Sequence, residues 1–352
     1  MTASRTHFEE SLKDREAIAA RVGQLRVGRL VPQAPRVSII IPAYAISSYV
    51  GETLASVFAQ TYTDFEVVVV NDGSPDTDAL ETALEPYLDR IVYAVQENLG
   101  ASRARNTAIC LSRGEWIAFL DGDDFWLGEY LASQLAFADC EGLDMVYCDA
   151  LLFGEALFEG DNFMRTSPSN GEVSTSSLIA ADCNVITSGT LLRKRVFDRI
   201  DLFDVALPRM QDFDLWYRVA RAGFRIGYQK RILIKYRVRS DSLSGTNVER
   251  SRRNIRALEV IKEKYELDNQ ERRAWEAKML EYTAEYELEQ GKYYLTAGEF
   301  REARTHIKKA NEYFRKPKLS ALQLLLAVSP RLALGLFRRF RPEEFSFISL
   351  HR

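Results

Sequence analysis

Trp116-Ile117-Ala118-Phe119-Leu120-Asp121-Gly122-Asp123-Asp124 is the stretch on which the reading of this chain turns. Five apolar residues in a row suit a strand buried on both faces, and the run stops abruptly in three carboxylates. A strand that ends in this way holds negative charge at the carboxyl edge of a sheet, where open α/β sheets bind their ligands. Crowded carboxylates raise one another's pKa unless a cation neutralises them. A hard divalent ion, Mg2+ or Mn2+, meets that need when held by one or two carboxylates and by substrate phosphates. Alone, the same residues would also suit an acidic turn capping the next helix. The flanking sequence weighs against that plainer use.

Outward from this strand the chain repeats one pattern. Val37–Ile41 and Phe65–Val70 are β-branched runs, Ile91–Val95 is a shorter strand, and Met145–Cys148 reads as a fifth. Helical stretches over about 49–59, 77–87 and 101–111 separate them, so the expectation is parallel βαβ units. An amphipathic helix over 6–26 and a linker marked by Pro32 and Pro35 precede the first strand. Beyond 150 the pattern loosens: 154–176, rich in Gly, Ser, Asn and acids, reads as a mobile loop or loosely packed insertion. Order returns with Ser188–Leu192, a helix over Asp212–Ala222, and two strands near 225–228 and 232–236. From about Val248 the period is helical, with Leu258, Ile261 and Tyr265 on one face. Tyr286, Tyr293 and Tyr294 face Phe300, Ala303 and Ile307 across a turn at 296–298, like a single tetratricopeptide hairpin. The expected domains are 1–35 (helix and linker), 36–245 (α/β) and 246–352 (helical module).

Composition narrows the classes. With 352 residues, 46% apolar and 28% charged, the chain reads as ordinary globular protein. Net charge is −3, yet Lys292–Arg341 carries twelve Lys/Arg against three Glu, a local +9 that leaves −12 for the remainder. Four cysteines lack Cys-x-x-Cys spacing, which fits a reducing cytoplasm. Three histidines, His7, His306 and His351, all lie outside the βα region, excluding a Ser-His-Asp triad or a His-rich zinc site there. The first residues, with Glu9, Glu10 and Asp14, do not read as a signal peptide, and no apolar run is long enough for a membrane span.

Other polar groups gather at strand ends. Ile41-Pro42-Ala43-Tyr44 closes the first strand, and Asn71-Asp72-Gly73-Ser74 the second. Each alone is a common turn; together they put polar groups at one end of the sheet. Asn98-Leu99-Gly100-Ala101-Ser102-Arg103-Ala104-Arg105-Asn106 opens a helix whose free N–H groups favour anions. Two arginines in its first turns oppose the helix dipole, which hints at an anionic ligand or a buried partner. Trp126 and Trp216 could stack on a sugar, although their spacing follows helix faces and a core role is favoured.

These motifs, in this order and with Gln211-Asp212-Phe213-Asp214-Leu215-Trp216, resemble the inverting family-two glycosyltransferases of GT-A fold over residues 36–240. The resemblance implies a Rossmann-like, mixed but mostly parallel α/β sheet with an α-helical C-terminal module. It implies transfer of a sugar from a UDP-sugar donor to an acceptor hydroxyl on a glycan or lipid-linked glycan of a surface polysaccharide. By position, Pro42 and Tyr44 would flank the base, Asp72 would read the uracil ring, and Arg105 would lie beside the nucleotide. Asp121, Gly122 and Asp123 match the Asp-x-Asp motif: Asp123 would ligate Mn2+ or Mg2+, Asp121 would face the ribose or donor sugar and share the metal, and Asp124 is a weaker candidate for that shell. Asp212 matches the general base.

Three positions depart from the family pattern. Gln211 stands where an acid is usual, which removes one charge beside Asp212. Ala45 replaces a usual Asn. Tyr236-Arg237-Val238 leads to Arg239 where a His is common, and an arginine pairs with a diphosphate rather than a metal. Two other readings of the same fold differ from this pattern. A nucleotidyltransferase needs a Gly-rich basic loop after the first strand, and Ala43–Val50 has none. A non-catalytic sugar-nucleotide-binding or scaffold protein would not need Asp72, Asp121, Asp123 and Asp212 together. The basic, apolar tail over 319–341 has two uses: an anionic membrane interface at the inner face of the membrane, or packing on the hairpin or on a second copy in a homo-oligomer. No nucleic-acid partner is expected.

Overall fold

The computed structural model describes residues 18, 22–154, 160–207, 210–239 and 247–340. The chain divides into two compact units, Met1–Arg239 and Ser240–Arg352. The first is built on a nine-stranded mixed sheet.

Its strands are β1 (Gln24–Val27), β2 (Val37–Ala43), β3 (Phe65–Asp72), β4 (Ile91–Gln96), β5 (Trp116–Phe119), β6 (Phe125–Trp126), β7 (Met145–Gly154), β8 (Thr190–Arg193) and β9 (Ile226–Val238), in the spatial order β1-β4-β3-β2-β5-β8-β7-β9-β6. β4, β3, β2 and β5 run parallel, while β8 is antiparallel to both β5 and β7. The β-branched runs explain the parallel part, because each strand is buried on both faces. Ile39 and Ile41 of β2, with Val67 and Val69 of β3, join one core; Ile40, Val68 and Val70 join the other. Helices α1 (Val50–Phe58), α2 (Thr77–Leu84), α3 (Ala101–Leu111) and α4 (Tyr130–Glu141) make the crossovers. The short α5 (Phe163–Thr166), α6 (Thr175–Ile179) and α7 (Phe197–Ile200) precede α8 (Gln211–Arg221).

Four expectations change. Residues 24–27, which overlap the end of the expected 6–26 helix, form strand β1, antiparallel to β4. Gln-Leu-Arg-Val alternates with period two, and pairing satisfies the otherwise open edge of β4. The rest of that expected helix lies outside the described residues, apart from residues 18 and 22–23. The two strands near 225–228 and 232–236 are one strand, β9, whose register on β7 shifts around Asp149; a bulge absorbs extra residues without ending the ladder. Phe125-Trp126 pairs with Ile234 and Lys235 of β9, an addition that two residues could not signal. Within 154–176, where residues 155–159 are not described, two short helices form, and bridges tie Asn162 to Leu151 and Ser169 to Cys183.

The second unit is helical: α9 (Asn247–Lys264), α10 (Asn269–Ala297), α11 (Phe300–Phe314), α12 (Pro317–Val328) and α13 (Pro330–Phe340). Asp268 and Glu271 cap α10 reciprocally, and Gly298 ends it with a left-handed φ of 84°. The α10–α11 hairpin packs closely at Gly291, where a Cβ would stand 2.6 Å from Ile307 Cγ1. Leu295, Ala303 and Ile307 are buried, whereas Tyr293 of the expected tyrosine face points to solvent. The inner faces of α12 and α13 join this core through Leu326 and Ala333; Leu324, Val328, Leu332 and Leu336 stay exposed.

Candidate active site

The parallel strands deliver the motif residues to one sheet edge. At the end of β3, Asp72 is 3% exposed and accepts three hydrogen bonds: from Gln96 Nε2 at 2.6 Å, Leu99 N at 3.0 Å and Gly100 N at 2.8 Å. It thereby clamps the loop that leads into α3. Gly73, at φ 60°, is needed where it sits, since a Cβ would meet the Asn98 backbone nitrogen at 2.6 Å. After β2, Pro42 is part-buried and Tyr44 is 48% exposed. Ala45 takes a left-handed φ of 51°, and its N–H donates to Ser74 Oγ at 2.7 Å. Ser74 also bonds to Asp76, which accepts the Ser47 N–H at 3.1 Å. Burial pushes the Asp76 carboxyl up, but the bonds from Ser47 and Ser74 outweigh it and hold the pKa below the ordinary value.

The acidic turn after β5 is shared among three arginines. Asp121 pairs with buried Arg105 at 2.5 Å, which answers the conflict of two arginines at a helix start. Arg105 Nε is buried with no hydrogen-bond partner. Asp123 pairs with Arg239 at 3.2 Å. Burial and then the neighbouring Asp121 push the Asp123 carboxyl up, against the pull of Arg239. Arg237 donates its backbone N–H to Asp124 at 2.8 Å and its Nε to the Asp123 carbonyl at 2.9 Å. Its guanidinium pairs with Glu52 and lies over the rings of Tyr49 and Phe153. Gly122 leaves room for Ile46, whose Cδ1 would be 2.1 Å from a Cβ, and its carbonyl accepts from Thr53 Oγ1 at 2.9 Å.

Asp124 is held inside the protein. It is 1% exposed, and its oxygens accept from Ser188 Oγ at 2.5 Å and from the Arg237 N–H, so it supports the turn from beneath. Burial, then Asp123 and Asp121, push its carboxyl well up. Trp126 and Trp216 are both 2% exposed core residues: Trp126 stacks on Tyr130 and donates to the Ser188 carbonyl, and Trp216 meets the Phe119 ring edge-on. Asp214 pairs with Arg218 within its helix at 2.8 Å.

Asp212 stands in the first turn of α8, behind Met210, whose φ of 63° is left-handed. Its Oδ1 accepts the Phe213 N–H at 2.8 Å and its Oδ2 the Thr187 hydroxyl at 3.3 Å. Asp212 shares one electrostatic neighbourhood with the acidic turn. Burial pushes the Tyr236 phenol far up, and the charges of Asp124, Asp121, Asp123 and Asp212 push it the same way. Thr187 and Ser188 escaped sequence reasoning, which used Tyr236 and Arg237 only to locate Arg239. The cluster Thr187-Ser188-Gly189-Thr190, polar and small beside a buried strand, was the signal available.

Among the described residues no group of three or more His, Cys, Asp or Glu side chains is arranged to hold a metal ion. The donors present are two carboxylates, Asp121 and Asp123, the second with a raised pKa that a cation would relieve. That set fits a hard ion whose remaining ligands are diphosphate oxygens and water.

The mixed sheet, with acids gathered at its carboxyl edge, has the GT-A fold of sugar-nucleotide transferases. Two solved structures share the fold: a mannosyltransferase of Pyrobaculum calidifontis in complex with GDP-Man and Mn2+ (TM-score 0.57, 18% identity, covering 97% of this chain and 94% of that one) and S. aureus TarS 1–349 in complex with UDP-GlcNAc (0.52, 18%, 86% and 92%). At these identities the likeness is one of fold. The model of Glycosyl transferase family 2 matches residues 38–200. An uncharacterized glycosyltransferase of Rickettsia typhi is 33% identical over 219 residues, 60% of this chain and 67% of the relative. The chain belongs to glycosyl transferase family 2. It spans about a third of the length of other Rickettsia relatives, such as one of Rickettsia bellii that is 31% identical over 59% of this chain and 30% of its own. A third relative, 27% identical over 64% of this chain and 86% of its own, is the E. coli UDP-Glc:α-D-GlcNAc-diphosphoundecaprenol β-1,3-glucosyltransferase WfaP.

Proposed function

We propose that this chain is an inverting glycosyltransferase that moves a hexosyl group from a UDP-sugar to an acceptor hydroxyl in one displacement. The observation that carries this reading is that one turn, Thr187-Ser188, bonds both to Asp212 and to the acidic turn that holds Asp121, Asp123 and Asp124. In this reading 36–245 is the transferase domain and 246–352 an accessory module.

The chemistry assigns each residue a task. Asp212 takes the proton from the acceptor hydroxyl as that oxygen attacks the anomeric carbon, and the bond to the diphosphate oxygen breaks on the opposite face. General-base help of this kind contributes about 10²–10⁴-fold in rate. Arg105 and Arg239 exchange their carboxylate partners for the charge of the diphosphate. Asp123, with Asp121, would hold Mn2+ or Mg2+, which supplies charge neutralisation for the departing diphosphate. Asp72 has about one of its four acceptor sites left for the uracil ring after its three internal bonds. Pro42 and Tyr44 flank the base, and Gly122 carries the turn past Ile46 between the two acids of the donor site.

Relatives support the donor class: WfaP is named for UDP-Glc and the TarS structure holds UDP-GlcNAc. The WfaP name, with its diphosphoundecaprenol acceptor, supports a lipid-linked glycan. No helix among the described residues is long and apolar enough to cross a membrane. Leu324, Val328, Leu332 and Leu336 are instead large apolar side chains left exposed, and residues 313–340 hold six Lys/Arg and no acid. That combination suits peripheral attachment to an anionic membrane at its inner face.

Calorimetric titration with UDP-, GDP- and dTDP-sugars, with and without Mn2+, tests the reading. Metal-enhanced binding of one UDP-sugar is expected. Binding of none would favour a scaffold protein on the same fold.

A further inference from the structure

Asp212 belongs to α8 and the acidic turn to the end of β5, far apart in sequence, yet single displacement needs base and donor in fixed register. One short 3₁₀ turn, Thr187–Gly189, touches both. Ser188 is 1% exposed: its Oγ donates to Asp124 and accepts the Asp121 N–H at 3.2 Å, and its carbonyl accepts the Trp126 indole at 2.7 Å. Thr187, next in the chain and 9% exposed, gives its hydroxyl to Asp212 Oδ2. Gly189 lets the turn pack closely, since a Cβ there would meet Ile186 Cγ2 at 2.9 Å and Cys148 Sγ at 3.2 Å, and its carbonyl accepts from Gln134.

We infer that the Thr187-Ser188 turn registers the general base against the donor edge, with Thr187 as a positioning residue for Asp212. Among the described residues the other oxygen of Asp212 bonds within its own helix, to the Phe213 N–H, a bond that cannot set the carboxylate against β5. The Thr187 hydroxyl supplies a tie from outside that helix. It is rigid, because a buried β-branched side chain has little rotamer freedom. The inference rests on the assignment of Asp212 as base.

The test uses the full chain with UDP-glucose or UDP-GlcNAc, whichever binds, and water as acceptor, following UDP release. Thr187→Val keeps the shape and removes the hydroxyl. It should lower kcat about 10- to 100-fold, since small misplacement of a reacting group has that effect, while donor KM and calorimetric affinity stay within about twofold of wild type. Thr187→Ser should restore most of the rate. Wild-type kcat in Thr187→Val, or equal losses in kcat and donor affinity, would overturn the inference. Asp212→Asn separates the two levels. If it turns over normally, the base assignment falls and takes the inference with it; if it is inactive while Thr187→Val is normal, only the inference falls.

Discussion

The same parallel strands end in two charge clusters, one at each edge of the sheet, and they are built on opposite terms. At the amino edge, Glu66 of β3 is fully buried and accepts from Ser38 Oγ at 2.7 Å and from Arg113 through its N–H, Nε and a terminal nitrogen, at 2.6, 2.9 and 2.5 Å. Gly114 closes the corner with an N–H to Ser38 Oγ at 2.8 Å. One carboxylate meets one guanidinium, and the lone pairs are filled. At the carboxyl edge three carboxylates crowd one turn, Asp123 and Asp124 are pushed up, and Arg105 keeps a buried Nε without a partner. A fully satisfied buried cluster holds a fold, whereas one with raised carboxyls and an unfilled buried donor is a candidate ligand site.

That contrast breaks if the two edges respond alike to mutation. Glu66→Ala should destabilise the fold by about 3 kcal/mol, because it leaves a buried serine and a half-covered arginine unpaired, with donor affinity unchanged in calorimetry. Asp123→Ala should do the reverse: donor affinity with Mn2+ falls about tenfold or more, about 1.4 kcal/mol, while thermal unfolding hardly moves. Should Asp123→Ala unfold the chain instead, the carboxyl edge is a stabilising cluster after all. A smaller effect sharpens the picture. Ala45 holds a left-handed φ that costs an L-residue about 1–2 kcal/mol, so Ala45→Asn should raise stability in denaturant titration by about 0.5–1 kcal/mol. An unchanged midpoint would mean that the Ser74 bond already absorbs the strain.

The least effect belongs to pH. Asp76 has a lowered folded pKa, so its stabilisation is complete above the usual aspartate value of 3.8 and is lost as pH falls through the lowered one. The melting advantage of wild type over Asp76→Asn should therefore hold from pH 7 to about 5 and shrink below about 3.8. An advantage independent of pH would show that Asp76 acts by shape rather than charge.

Much of this was legible in one dimension. Val37–Ile41, Phe65–Val70 and Trp116–Leu120 are continuous apolar runs, and such runs with helices between them leave few topologies other than a covered parallel sheet. Asp72, Asp121 and Asp123 follow those strands directly, so their edge was readable too. Other features depend on partners distant in sequence. Gln24–Val27 is a strand only because β4 offers an open edge, and the insertion over 154–176 gains helices and bridges through contacts with β7 and Cys183.

By itself the sequence determined the parallel strands of the sheet, their carboxyl edge and the acids that crowd it, since periodicity and strand ends are local properties. Tertiary structure alone decided how that crowd is shared out. It buried Asp124 under Ser188, set Arg105 and Arg239 on Asp121 and Asp123, and joined Asp212 to the edge through Thr187, bonds that span from 16 to 116 residues. Burial and Coulomb interaction depend on distance in space, and separation along the chain does not encode it.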